Sequence, residues 1–343
     1  MDESWERSSV AADYTRFATL KIPAQIVHTF PVHGILRSLV ILAICSALGA
    51  SCQSPVSAWQ AAVDRAEQQS RNATTNATNF DGRIVVLDIP SGRLLASHRL
   101  DDAARTVAAP GSTLKPRVLF SLIRTGRWNP ANRVACNRQL VVAGHRLACT
   151  HPLAPPFDAR EALTWSCNSY FAALARSLEP GELGRLLRPT GLLGLTGFAR
   201  QEAVAEFRET DSPDSRQLAL LGVNGVRVTP LELAAAYRWL ALELAAHPDS
   251  GAAQVVRAGL EDSASFGMAG QASLGGVAVL GKTGTAEGAS SHRTHGWFVG
   301  LAPAENPQVV IAVFLPAGRG ADAAHVAGDL LANSPMRSIR ERP

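Results

Sequence analysis

The heptapeptide Pro-Gly-Ser-Thr-Leu-Lys-Pro, which begins at Pro110, constrains this chain more than any other stretch. An apolar run of helical character follows it at 118–123, so the pattern predicts a helix with Ser112 near its N-terminus and Lys115 three residues on. A serine needs a base to become a nucleophile, and a lysine is a base only where burial or a nearby cation keeps it neutral. The spacing indicates such a pair, although Ser-x-x-Lys alone also arises by chance in capping sequences.

Two later stretches add chemistry to the first. Ser166 and Asn168 enclose Cys167 in a predicted helical segment, and Lys282 opens the sequence Lys-Thr-Gly-Thr directly after an apolar run at 277–281. The chain has only three lysines, and two of them, Lys115 and Lys282, fall in these motifs. Cys167 itself is expected to be a small buried residue rather than a catalytic one.

The order Ser-x-x-Lys, Ser-x-Asn, Lys-Thr-Gly is typical of the penicillin-recognising acyl-serine enzymes. The chain resembles the transpeptidase domain of a penicillin-binding protein and is most similar to the monofunctional, class B kind. Three further stretches carry the resemblance: a hairpin-like segment at 84–96, a Val-Thr-Pro helix at 226–237, and a strand at 295–303. The likeness covers roughly residues 80 to 335, most of the chain.

Strand-like pairs near both ends of this region bracket a mainly helical middle. The first pair spans 83–88 and 94–97, and the second spans 296–302 and 308–315. This order predicts an α+β fold, in which one antiparallel sheet holds both termini, helices flank its faces, and a helical subdomain is inserted in the middle. The β-lactamase/transpeptidase-like fold implied by the resemblance is the same.

Residues 1–52 are expected to be an export signal or a membrane anchor. The apolar run at 39–50 has the length of a signal-peptide core and is short for a transmembrane helix. Cys52 follows small residues, as in the lipidation signal of bacterial lipoproteins, although Gly49 stands where an aliphatic residue is usual. A lipoprotein, an uncleaved anchor and a cleaved signal stay open as alternatives. Each of them places the rest of the chain in the cell envelope, in the periplasm or on the outer face of the cytoplasmic membrane.

Residues 53–80 are expected to form a linker, because the stretch 70–79 is polar and low in complexity. One short amphipathic helix is predicted inside this linker, at 58–69. The penicillin-binding domain is expected at 81–335. We expect the large pedestal domain that class B proteins carry before the catalytic domain to be absent, since the linker is too short for it.

The composition describes a globular protein, with 46% hydrophobic and 18% charged residues. The net charge of +4 is spread along the chain, and no run of like charges suggests a nucleic-acid partner.

Cys136 and Cys149 lie on either side of a predicted hairpin whose turn is at 143–144. Because the midpoint of the two cysteines falls on that turn, we expect them to face each other within reach of a disulfide. In an oxidising compartment the disulfide is preferred over two free thiols. A zinc site with His145 and His151 is the weaker alternative, because the spacing fits no standard site.

The resemblance assigns roles in an acylation reaction. Ser112 is the expected nucleophile and Lys115 its base, kept neutral by Lys282 and by scarce water. Ser166 is expected to relay the proton to the leaving amine, and Asn168 to hold the amide of the donor peptide. No metal and no cofactor are expected.

Substrate recognition is assigned to the third motif. Lys282, Thr283 and Thr285 suit a substrate carboxylate, and Gly284 is expected to keep the strand edge open so that a substrate adds as an extra strand. By resemblance, the N–H groups of Ser112 and Thr285 form the oxyanion hole. Three polar residues are expected at the rim without a catalytic role: Glu287, His292 and His295.

The sequence is compatible with three functions. The first is a peptidoglycan D,D-transpeptidase that acts on D-Ala-D-Ala stem peptides and is acylated by β-lactam antibiotics. The second is a D,D-carboxypeptidase or serine β-lactamase, in which water takes the acyl group. The third is a sensor of β-lactams or muropeptides. The expected partners are peptidoglycan stem peptides, β-lactams, the cytoplasmic membrane through the N-terminus, and other proteins of cell-wall synthesis.

Overall fold

A computed structural model describes residues 54–73, 80–152, 155–208, 212–287 and 293–336. All of these residues belong to one compact unit that spans Gln53–Pro343. The expected export segment with Cys52, and also His292, lie outside the described residues. Among the helices that are described, none combines the length and the apolar character needed to cross a membrane.

A five-stranded antiparallel sheet forms the centre of the unit. Its strands are β1 (Arg83–Asp88), β2 (Leu94–His98), β7 (Leu280–Glu287), β8 (Thr294–Ala302) and β9 (Val309–Leu315), and their order across the sheet is β2-β1-β9-β8-β7. The first hairpin pairs with the last strand, since Ile84 lies opposite Val313. The predicted sheet that holds both ends of the domain is therefore confirmed, and β7 lies at one edge of it.

Helices cover both faces of the sheet and fill the long middle of the chain. They are α1 (Pro55–Ala73), α2 (Leu100–Arg105), α3 (Lys115–Arg124), α4 (Ala159–Thr164), α5 (Asn168–Ala175), α6 (Glu182–Leu187), α7 (Pro213–Leu220), α8 (Pro230–Ala246), α9 (Gly251–Ser265) and α10 (Gly320–Ala332). Three 3-10 turns lie at Gly111–Leu114, Arg188–Thr190 and Gly270–Gly275. Two small hairpins lie in the inserted region: β3 (Gln139–Val142) with β4 (His145–Ala148), and β5 (Glu206–Phe207) with β6 (Val226–Arg227).

Two apolar cores lie on opposite faces of the sheet. Alternate residues of a strand point to opposite faces, so Val85 packs into the larger core with α3, α5 and α8, whereas Ile84 packs into the smaller core with α1 and α10. β9 is apolar throughout, because both of its faces are covered. This double burial explains why β9 shows no alternation of polar and apolar residues.

Helix α8 begins where the sequence predicts. Thr229 is its N-cap and Pro230 its first residue, and the Thr229 side chain accepts a hydrogen bond from the N–H of Glu232. The Glu232 carboxylate bonds back to the N–H of Thr229 at 2.9 Å and also accepts from the N–H of Ala205 at 2.7 Å. The cap therefore also holds the loop before β5 against the helix.

The segment predicted to be a linker contains part of the folded domain. The amphipathic helix expected at 58–69 is present and longer, as α1, and its apolar stripe, with Trp59, Val63 and Ala66, is buried in the smaller core. Gln60 accepts a hydrogen bond from the N–H of Ser97 in β2. The linker interpretation is wrong for α1, because burial of an apolar stripe stabilises the helix against the sheet.

We predict that Trp59→Ala lowers the free energy of unfolding by about 3–5 kcal/mol, the usual cost of deleting a buried tryptophan side chain. Val56→Ala, at an exposed position of the same helix, should change stability by less than about 0.5 kcal/mol. Urea unfolding of both variants measures the difference. Equal urea midpoints for the two variants would mean that the burial of Trp59 in α1 does not stabilise the domain.

Candidate active site

The expected nucleophile lies in the 3-10 turn that leads into helix α3. Ser112 is partly exposed, whereas Lys115, the first residue of the helix, is fully buried, and its N–H donates to the Ser112 carbonyl. Tyr237 of α8 donates its hydroxyl to the carbonyl of Thr113 at 2.9 Å. The Tyr237 hydroxyl of α8 therefore holds the turn in place, while Ser112 itself stays partly exposed.

The Lys115 amine is held by the second motif. Lys115 Nζ donates to the carbonyl of Ser166 at 2.9 Å and to Asn168 Oδ1 at 2.8 Å, and it lies 3.4 Å from Ser166 Oγ. The ring of Phe171 lies 5.0 Å from the same nitrogen, measured to the ring centre. Asn168 donates its amide group to the carbonyl of Ala148 at 3.2 Å, so one asparagine joins the lysine to strand β4.

Ser166 occupies a break between helices α4 and α5, within the segment that the sequence predicts to be helical. Its φ of 56° is left-handed, a conformation that costs a non-glycine residue about 1–3 kcal/mol. The break points the hydroxyl at both lysines, because Lys282 Nζ lies 2.8 Å from Ser166 Oγ. The second motif therefore brings one hydroxyl between two buried amines.

Burial shifts the pKa of both lysines downward. Desolvation lowers the pKa of Lys115 to about 8. The pKa of Lys282 falls well below its usual value, first through burial and then through the positive charge of Lys115. The neighbouring cation therefore lowers the pKa of Lys282. The expectation that Lys282 keeps Lys115 neutral is wrong, because the pKa of Lys115 is lowered by removal from water.

Strand β7 approaches the nucleophile very closely. A Cβ added to Gly284 would lie 2.4 Å from the carbonyl oxygen of Pro110 and 3.4 Å from the nitrogen of Ser112. Gly111 has a φ of 54°, and a Cβ there would lie 2.8 Å from the nitrogen of Thr285. The two glycines let the edge strand meet the serine turn, a role that the sequence interpretation of Gly284 as an open edge did not include.

The third motif divides between buried and exposed side chains. Lys282 and Thr283 are buried, and Lys282 Nζ also donates to the carbonyl of Thr283 at 2.9 Å. Thr285 is exposed, and its Oγ1 accepts from the N–H of Gly320 at the start of α10. Thr285 is therefore the exposed side chain of this set, and Lys282 is turned inward.

Two residues that anchor the turn were not identified as such from the sequence. His295 Nε2 and Trp297 Nε1, both on β8, donate to the carbonyl of Ala109 at 2.7 and 2.9 Å. His295 is buried, so the prediction that it lies at the rim is wrong, and burial lowers its pKa. Glu287 is exposed at the end of β7. The alternation of β8 could have indicated that residues 295 and 297 face the same side.

The predicted disulfide between Cys136 and Cys149 is not formed, and both residues are free thiols. The hairpin register explains this. Gln139 pairs with Ala148 and Val142 with His145, so the same register carried outward places Cys136 opposite His151 rather than opposite Cys149. The Cys136 sulfur lies 3.2 Å from His151 Nε2. The turn at 143–144 is where the sequence predicts it, but the midpoint of the two cysteines lies one residue before the centre of that turn.

The sequence matches the family described as the penicillin binding protein transpeptidase domain over residues 63–334. Because this match spans most of the chain, the protein belongs to that family. Its role is thereby of the transpeptidase type in peptidoglycan synthesis, with acyl-serine chemistry and with peptidoglycan and β-lactams as the ligands of the family. No curated protein matches the chain.

Solved structures show the same fold. The transpeptidase domain of Burkholderia pseudomallei penicillin-binding protein 3 has a TM-score of 0.70 at 22% identity, covering 84% of this chain and 96% of that one. A peptidoglycan glycosyltransferase from Burkholderia ambifaria gives 0.69 at 21%, covering 84% and 97%. The penicillin-binding protein PBP2 in complex with MreC, from Helicobacter pylori, gives 0.66 at 18%, covering 80% and 62%.

We predict that the acylation rate rises with pH, is half-maximal near pH 8, and levels off about one pH unit higher. Lys115 accepts a proton only when neutral, and its lowered pKa of about 8 means that it is mainly charged below that pH and mainly neutral above it. Stopped-flow acylation by a chromogenic cephalosporin across this range gives the profile. A midpoint near the usual lysine value of about 10.4 would show that burial does not tune this amine.

We predict that Gly284→Ala lowers the acylation rate by about 100-fold, because the new methyl group displaces the Pro110 carbonyl and with it the serine turn. Gly270→Ala is the matched control, since a Cβ at that position meets no atom closer than 3.9 Å. Acylation rates of both variants, with circular dichroism to check folding, test the effect. Wild-type rates in Gly284→Ala would contradict the close approach.

Proposed function

We propose that the protein is a peptidoglycan D,D-transpeptidase that forms an acyl-enzyme on Ser112 from D-Ala-D-Ala stem peptides and is inhibited covalently by β-lactams. The observation that carries the proposal is the position of the Ser166 hydroxyl between the two buried amines of Lys115 and Lys282, beside the serine turn. A purely structural serine would not require two buried lysines around it, because burying a cation is costly.

Acylation follows from this arrangement. The Ser112 oxygen attacks the carbonyl carbon of the penultimate D-alanine while Lys115 accepts the hydroxyl proton. The proton passes through Ser166 to the nitrogen of the leaving D-alanine as the C–N bond breaks. The N–H groups of Ser112 and Thr285 are proposed to bind the oxyanion, and the close approach of the serine turn to β7 at Gly111 and Gly284 supports this.

The donor peptide is proposed to bind along the free edge of β7. This strand is the last of the sheet and leaves one row of backbone groups without a neighbouring strand of the sheet. Thr285 is exposed at this edge and offers a hydroxyl to the substrate carboxylate. When the pair formed by Lys115 and Lys282 carries a proton, the buried Lys282 adds positive electrostatic potential at this edge.

An amine rather than water is proposed to release the acyl group. Water needs a base, and the amines of Lys115 and Lys282 bind hydroxyl, amide and carbonyl oxygens. Among the described residues, no carboxylate is a hydrogen-bond partner of either amine. The acyl-enzyme is therefore expected to wait for an amine acceptor.

The protein is proposed to act in the cell envelope, at the outer face of the cytoplasmic membrane or in the periplasm, attached through its first 52 residues. Peptidoglycan, its substrate, lies in that compartment. Other proteins of cell-wall synthesis are proposed as partners, because a structural neighbour is described as a complex of PBP2 with MreC. Lipidation at Cys52 is part of this proposal.

We predict that a fluorescent penicillin labels the protein on Ser112 and that the adduct lasts for many minutes with negligible turnover. Ser112→Ala should abolish labelling without unfolding the protein, because a partly exposed hydroxyl contributes little to stability. Ser91→Ala, which removes an exposed hydroxyl in the turn after β1, is the control and should label normally. Intact-protein mass spectrometry measures adduct and lifetime.

The acceptor of the acyl group distinguishes a transpeptidase from a carboxypeptidase and from a β-lactamase. With a D-Ala-D-Ala stem peptide, an added D-amino acid should be exchanged into the product in preference to hydrolysis. Hydrolysis of the peptide without exchange would make the protein a carboxypeptidase, and rapid repeated hydrolysis of β-lactam would make it a β-lactamase. Persistent labelling of Ser112→Ala would contradict the whole assignment.

A further inference from the structure

Four side chains with metal-binding atoms converge beside the active site. The ligand atoms of Cys136, Cys149, His151 and Cys167 all lie within 4.8 Å of one another. Three of these residues are buried and Cys136 is partly buried. The set comes from two separate parts of the chain, the β3–β4 hairpin and the turn before α5, so local sequence spacing does not produce it.

The imidazole of His151 is already oriented as a ligand. Its Nδ1 lies 2.7 Å from the carbonyl oxygen of Pro152, and because a carbonyl only accepts, Nδ1 must carry the proton. Nε2 therefore presents its lone pair to the sulfur of Cys136 at 3.2 Å. A hydrogen bond from the second ring nitrogen to a carbonyl is the usual support of a metal-bound histidine.

The sulfur of Cys149 has a similar support. The N–H of Asn168 donates to it at 3.2 Å, an interaction that favours the thiolate form of a cysteine.

We propose that Cys136, Cys149, His151 and Cys167 bind one zinc ion in a tetrahedral site. Zn–S bonds of about 2.3 Å and a Zn–N bond of about 2.0–2.1 Å give ligand separations of roughly 3.5–3.8 Å, so the four atoms need to contract by no more than about 1 Å. On binding, three S–H bonds are replaced by three S–Zn bonds, and three protons pass to solvent. A set of three thiolates and one imidazole selects zinc among the common divalent ions.

Zinc competes here with a disulfide. A disulfide would take two of three neighbouring cysteines and leave an unpaired buried thiol beside a histidine whose lone pair faces sulfur. Zinc uses all four groups at once and removes the free thiols from oxidation. This difference favours the metal even in an oxidising compartment.

The proposed zinc fixes the second motif. Cys167 lies between Ser166 and Asn168, and Asn168 also bonds to the carbonyl of Ala148 next to Cys149. A metal that ties Cys167 to the hairpin would hold the left-handed turn at Ser166 and so the hydroxyl between the two lysines. The four ligands are positioning residues in this account, and this part of the inference rests on the proposed function.

The metal is tested on the full chain, purified without chelators. Elemental analysis by mass spectrometry should find about one zinc per chain, and X-ray absorption should show three sulfur atoms at about 2.3 Å and one nitrogen at about 2.0–2.1 Å. Cys136→Ser should lose the metal, and Cys136→Asp, which supplies an oxygen ligand, should retain it more strongly than serine. His145→Ala, an exposed histidine in the same hairpin, is the matched control and should keep full zinc.

Several results would overturn the site. They are a protein without zinc after exposure to zinc chloride, a disulfide between any two of the three cysteines in the metal-free protein as isolated from the envelope, or an absorption shell of oxygen and nitrogen only. Equal zinc in Cys136→Ser and the His145→Ala control would do the same. None of these readouts depends on enzyme activity, so a failure of the proposed function leaves the metal test intact.

The positioning role is tested by acylation kinetics. Removing zinc with a chelator should lower the first-order rate of acylation of Ser112 by about 10–100-fold while the affinity for β-lactam changes less, and added zinc should restore the rate. Cys136→Asp should recover more of this rate than Cys136→Ser. Loss of zinc with an unchanged acylation rate would overturn the positioning role and leave only a structural metal.

Discussion

The site depends on the cost of burying two lysine amines. Lys115 and Lys282 are both fully buried, and their hydrogen bonds among the described residues go to oxygen atoms: Ser166 for both, Asn168 for the first and the Thr283 carbonyl for the second. Desolvation lowers the pKa of both, so the pair is forced towards sharing protons instead of carrying two full charges. Burying these amines costs stability, but it also lowers their pKa, so that a neutral amine is available as a base near physiological pH.

Placing these amines close to the serine turn requires a rigid backbone. The serine turn is pinned through the Ala109 carbonyl by His295 and Trp297, while β7 lies against it at the two glycine positions. These contacts join the sheet to the helical region at the point where the chemistry occurs. The site is therefore assembled by the packing of an edge strand on a turn, and neither element can move without moving the nucleophile.

The inserted region contributes in a different way. Its β3–β4 hairpin touches the second motif through Asn168, and the cluster of three cysteines and His151 lies at that contact. The left-handed Ser166 needs support, since its conformation is costly in isolation. A cross-link between the hairpin and the turn, by metal in our proposal, is one way in which the fold can supply that support.

The sequence by itself determined the family, the antiparallel sheet that closes both ends, the cap of α8 and the three motifs, because these depend on local residue types and on periodicity. It did not determine that α1 belongs to the domain. The polar stretch at 70–79 led to a linker prediction, although the apolar stripe around Trp59 is buried. It also missed the buried role of His295 and the register that places His151, and not Cys149, opposite Cys136. Only the tertiary structure decided these points, because they depend on which distant groups share one volume and on a register that a single residue can shift.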